Sequence, residues 1–149
     1  MILDENLEFA DATVLPTATG ISLFGDVIDL SVARDIGAGH LPLALVIQIT
    51  TAVVGTTSTV EFRLASDAAA AIATDGTATE HGRTDAFPEA TLIAGYKIVL
   101  IIPPEGGNVY ERFLGVLSNV GTNVLTAGNA NAFLTKNVAA WKAYADATN

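Results

Sequence analysis

Two histidines, a scatter of carboxylates and one glycine-rich turn are the places where this 149-residue chain could do chemistry. An imidazole serves as acid, base or metal ligand only with partners at a suitable spacing, as in HxH or HExxH. His40 adjoins Gly37-Ala38-Gly39, and His81 sits in Glu80-His81-Gly82-Arg83; neither has such a partner, and both read as loop residues. Asp26 and Asp29 flank strand residues, and Asp75-Gly76-Thr77 offers oxygens of the kind calcium takes, without EF-hand spacing. A glycosidase needs two carboxylates converging in space, normally beside aromatic rings, and the chain has one tryptophan. Gly37-Ala38-Gly39 lacks the third glycine and following helix of a dinucleotide fingerprint, and neither GxSxG nor GxxxxGK[ST] occurs. With no cysteine, disulfides, thiol catalysis and Cys-based zinc sites are excluded. No catalytic residue, cofactor or metal is expected. The chain reads as non-enzymatic.

Composition points the same way. Half of the residues are hydrophobic and only 15% are charged, against roughly 25% in ordinary soluble domains. So little charge suits a surface partly hidden in an assembly. The net charge of −9 argues against binding a nucleic-acid backbone. No apolar run approaches the ~20 residues of a membrane span. The N-terminus, MILDENLEFADAT, lacks the basic and apolar regions of a signal peptide, so synthesis in the cytoplasm is expected.

The elements that would position any site are short runs rich in Val, Ile, Thr and Phe, punctuated by turn residues. Strands are expected at 21–32 with a bend at Gly25, at 42–51, 59–66, 90–93, 96–102, 110–120 and 130–139. In Thr59–Ser66, Val60, Phe62 and Leu64 alternate with Glu61 and Arg63, the pattern of a half-buried strand. The link 53–58 suggests a hairpin between the second and third strands. Asp67–Ala73 suggests a turn or two of helix, and 74–89 a long mobile surface loop. Seven or eight strands with almost no helix predict an all-β, jelly-roll-like antiparallel β-sandwich. It forms a single domain over 1–149, with an N-terminal arm over about 1–14 and a C-terminal tail over about 140–149.

One strand stands apart. In 42–51, Leu43, Leu45, Ile47 and Ile49 line one face, while Ala44 and Val46 make the other face apolar too. Side chains alternate along a strand, so this one requires cover on both sides. Val99, Leu100, Ile101 and Ile102 repeat the pattern, and two such strands point to self-association. The acidic arm carries Ile2, Leu3, Leu7 and Phe9, which fit equally an edge strand on its own domain or anchors on a neighbour. Trp141 and Tyr144, three apart, share one side of a helical turn, as own-core cover or partner contacts.

Finally, MILDENLEFADAT, VIDLSVARDIGAGHLPLALVIQI, STVEFRLASD, LIAGYKIVLIIP and YERFLGVLSNVG occur in an order and spacing that resembles one family over nearly the whole chain. That family is the capsid cement (decoration) proteins of tailed phages, typified by the Bordetella phage cement protein. The Ala68–Ala71 run, the 74–89 loop and the C-terminus look longer or different here. The resemblance implies a jelly roll on the outer surface of an icosahedral head, bound to an HK97-fold major capsid protein and bridging its subunits. It implies self-association, a homodimer before a homotrimer, and gives the Arg34-Asp35 turn as family-typical and a candidate contact. The expected interface residues are thus Ile2, Leu3, Leu7, Phe9, Arg34, Asp35, Ala44, Val46, Trp141 and Tyr144. The alternative is a virion-attached carbohydrate-binding β-sandwich, which would present an exposed aromatic platform.

Overall fold

A computed structural model describes residues 5–33, 36, 43–102, 108–136 and 138. Its strands are β1 (Glu8–Val14), β2 (Gly20–Asp29), β3 (Ala44–Gly55), β4 (Thr59–Asp67), β5 (Thr79–Arg83), β6 (Phe87–Pro88), β7 (Lys97–Ile101), β8 (Phe113–Gly121) and β9 (Leu125–Thr135). Single 3-10 turns at Glu5–Leu7 and Glu89–Thr91 are the helical segments among the described residues. One sheet has the order β1-β9-β3-β7; the other runs β2-β8-β4-β5, with β6 added on β4.

The pairs β1 with β9, β2 with β8, β3 with β7 and β4 with β5 nest inside one another, as in a single long hairpin. Rolling that ribbon into two layers creates the further pairs β3 with β9 and β4 with β8. This is the jelly-roll solution to the edge problem of antiparallel sheets. The all-β sandwich expected from the strand pattern is what the chain forms.

Alternation explains the core. From the first sheet, Leu45, Ile47, Ile49, Ala130, Ala132 and Leu134 point inward. They meet Phe24, Val60, Phe62, Leu64, Leu114, Val116 and Val120 of the second sheet. Phe24 and Phe62 pack at a ring separation of 6.0 Å, tilted by 56°. Burying side chains of this size is worth roughly 1.5–3 kcal/mol each before entropy is counted. A smaller cluster of Ala65, Ile72 and Leu117 lies on the outer face of the second sheet. Ile72 belongs to the segment joining β4 to β5, which therefore acts as a cover for that face.

Several local expectations need correction. β3 and β4 form no hairpin, because they lie in different sheets and the link between them crosses the sandwich. Thr57 takes a positive φ of 57° in that crossing. The polar stretch 74–89 contains β5 and β6, both added to β4. Ala90–Ile93 is not a strand: Ala90 and Thr91 belong to the 3-10 turn Glu89–Thr91, and Leu92 and Ile93 lead out of it. Residues 67–73 make no helix: the Asp67 carboxylate accepts the Ala69 and Ala73 N–H groups and holds bends there. The last strand begins at Leu125, earlier than its apolar run suggests.

Candidate functional site

β4, β5 and the segment before β8 bring together the one arrangement that looks like chemistry. Ser66 Oγ and His81 Nε2 are 2.7 Å apart. The His81 ring stacks on Tyr110, with centroids 3.7 Å apart and planes within 8°. The Glu111 N–H donates to Ser66 Oγ at 3.0 Å, and Thr79 Oγ1 donates to the Glu111 carboxylate at 2.8 Å. A serine–histidine pair at this distance resembles an activated nucleophile. Ser66, however, is fully buried, and its oxygen already accepts a backbone N–H. No substrate carbonyl can approach it. The arrangement pins three chain segments together, and sequence spacing gave no sign of it because Ser66 and His81 meet only through strand register.

Of the carboxylates singled out from sequence, Asp29 and Asp75 are engaged in holding local turns. Asp29 accepts two hydrogen bonds from Arg112, at 2.9 and 2.8 Å, and one from the Ser31 N–H at 2.7 Å. The Arg112 contact, then the Ser31 N–H, hold its pKa down at about 2. Asp75 accepts the Thr77 hydroxyl and N–H, and these lower its pKa. Among the described residues no three of His, Asp and Glu converge as a metal site would require. His40 lies outside the described residues.

What the fold does present is surface. By strand alternation Ala44, Val46, Val99, Ile101 and Phe133 point away from the sandwich, on the outer face of the first sheet. Val46 sits in register between Phe133 and Val99, and Ala44 is opposite Ile101. Ala44, Val46 and Phe133 are buried, whereas Val99 is 37% and Ile101 51% exposed on the edge strand β7. The double-sided character read from the sequence is therefore real. Its exposed part lies on β7 rather than on β3.

The expected interface residues divide accordingly. Ala44 and Val46 are covered within the chain, and Phe9 is part of its own core. Glu8–Val14 is the edge strand β1 paired with β9, which gives that part of the arm to its own domain. Leu7, just before β1, is 39% exposed. Ile2, Leu3, Arg34, Asp35, Trp141 and Tyr144 lie outside the described residues.

A family model described as Bbp16 matches residues 9–134, the span from β1 to the end of β9. The description is consistent with a Bordetella phage protein family. No curated protein matches the chain.

Proposed function

The chain belongs to the Bbp16 family, and from that premise we propose that it is a structural capsid cement protein, acting without catalysis on the outer surface of an icosahedral phage head. The match over the whole sandwich carries the reading, and the resemblance of the N-terminal and late-strand segments gives it its direction. Its partners are an HK97-fold major capsid protein, whose neighbouring subunits it bridges, and a second copy of itself. The exposed Val99–Ile101 stripe on the edge strand β7 supplies an apolar surface for the second copy.

Bridging supplies the mechanism. Once one protomer of a dimer has docked, the other meets its site at a millimolar effective concentration or so. Two modest contacts then hold neighbouring capsomers together far better than either alone. The acidity of the chain suits a position outside the shell, away from packaged DNA.

Mixing the purified protein with expanded, undecorated heads of its phage tests the proposal. Co-sedimentation and regular outer density are expected; the absence of both would overturn it. Nothing among the described residues favours a carbohydrate-binding reading. Among the described residues Phe9, Phe24, Phe62, Phe133 and Tyr110 are buried, and Phe87, Tyr96 and Phe113 are half-buried. None offers a platform for a sugar ring.

A further inference from the structure

Charge is distributed unevenly over this sandwich. Antiparallel strands put the links β1–β2, β3–β4, β5–β7 and β8–β9 at one end. In the segments 14–19, 54–58, 88–95 and 121–126, which form this end, the only charged residue is Glu89, in a chain of net charge −9. Asp85, earlier in the β5–β7 link, runs alongside β4 between the levels of Phe62 and Val60. Even that carboxylate is engaged, since its Oε1 accepts the Thr57 N–H at 2.9 Å. Val54, Ile93 and Val124 stand exposed on this end, at 49%, 60% and 56%.

The four links are also fastened to one another. Asn123 Nδ2 donates to the Thr56 carbonyl at 2.7 Å and to Thr57 Oγ1 at 3.0 Å. Ser58 Oγ donates to the Val124 carbonyl at 3.1 Å, and the Glu89 N–H donates to the Ser58 carbonyl at 3.0 Å. The Leu125 N–H reaches the Thr17 carbonyl at 2.9 Å, bringing in the first link. This end is a preformed platform, with little left to order on contact.

We infer that this charge-poor end docks the protein on the shell, against a neutral, apolar surface of the major capsid protein. Depletion of charge at the centre of a contact is a mark of protein interfaces, because no ion then has to be stripped of water. A partner of either sign would gain nothing from this end. A second copy has its own surface in the β7 stripe. The inference rests on the cement reading and names the face that reading leaves open.

The test compares head binding by the wild-type chain with that of Val54→Asp, Ile93→Asp and Val124→Asp, singly and combined. Val109→Asp, a 79% exposed position in the β7–β8 link at the opposite end, is the control. The combined variant is expected to bind heads roughly tenfold or more weakly, with the control and the solution mass unchanged. Wild-type binding is expected to vary little with salt, since no charge is used. Val54→Thr and Val124→Thr, nearly isosteric, give the same reading in milder form should the aspartates disturb folding. Equal binding by wild type and variants would overturn the inference and leave the cement reading standing, as would marked weakening by salt. A fall in solution mass in the combined variant would assign the end to a second copy and overturn it as well. Failure of the wild type itself to bind would overturn both.

Discussion

At the scale of single residues, the strongest constraints are steric and electrostatic. Gly25 has a φ of +75°, and a Cβ there would lie 2.1 Å from the Phe9 carbonyl oxygen. β1 and β2 thus meet where only glycine fits, and the bend expected at this position has its cause in that approach. Gly25→Ala should lose roughly 3 kcal/mol, from left-handed strain and the displaced strand together, measured by urea denaturation. Asp29 gives a prediction with a sign. Its folded pKa of about 2 lies below the ordinary 3.8, so the stabilisation is present above the ordinary value. It is lost as pH falls through the window from about 4 to 2. In Arg112→Gln the NMR titration midpoint of Asp29 should rise toward 3.8 and the acid loss of stability should shrink. An unmoved midpoint would show that the Ser31 N–H alone holds the charge.

At the scale of elements, legibility followed burial. β4 was readable because one face is core and the other polar, so Val60, Phe62 and Leu64 alternate with charges. β3 was readable as apolar on both faces, and six successive positions from Ala44 to Ile49 are indeed buried. β5, Thr79–Arg83, was not, because it is a polar strand at the edge of the second sheet, half-buried from Thr79 to Gly82 and exposed at Arg83. Its pairing with β4 depends on backbone hydrogen bonds, which leave no hydrophobic pattern in a sequence. The false β3–β4 hairpin has a related cause: a short link with glycine looks alike whether the chain turns back or crosses to the other sheet. The cover on the second sheet was also invisible, since Ile72 is a single apolar residue in a run of alanines. It is 5% exposed and lies over Gly115, where even a Cβ would come within 3.1 Å of its side chain. Ile72→Ala should therefore cost about 2–4 kcal/mol and loosen the β4–β5 segment, seen as faster amide exchange in Leu117 and its neighbours on β8.

At the scale of the whole molecule, a nested ribbon pairs its two ends across almost the full chain, Glu8 with Phe133, so the fold rests on contacts of large sequence separation. Such a fold gives two broad faces, two ends and open edges, and only some of that surface can be shared with partners. The charge-poor end and the β7 stripe divide the work in the proposed assembly: one faces the shell, the other a second copy. That division yields a quantitative expectation. Val99→Asp with Ile101→Asp places carboxylates on the exposed part of the apolar face without touching the sandwich core, because both side chains point outward. The double variant should sediment as a monomer with an unchanged unfolding temperature. Its contact with any one site on the shell is intact, yet it can no longer bridge. Apparent affinity for heads should then fall by about 10²–10⁴, the factor that tethering two sites contributes. A monomeric variant binding as tightly as the wild type would show that each protomer holds the shell alone. Bridging by a dimer would then have no part in reinforcing it.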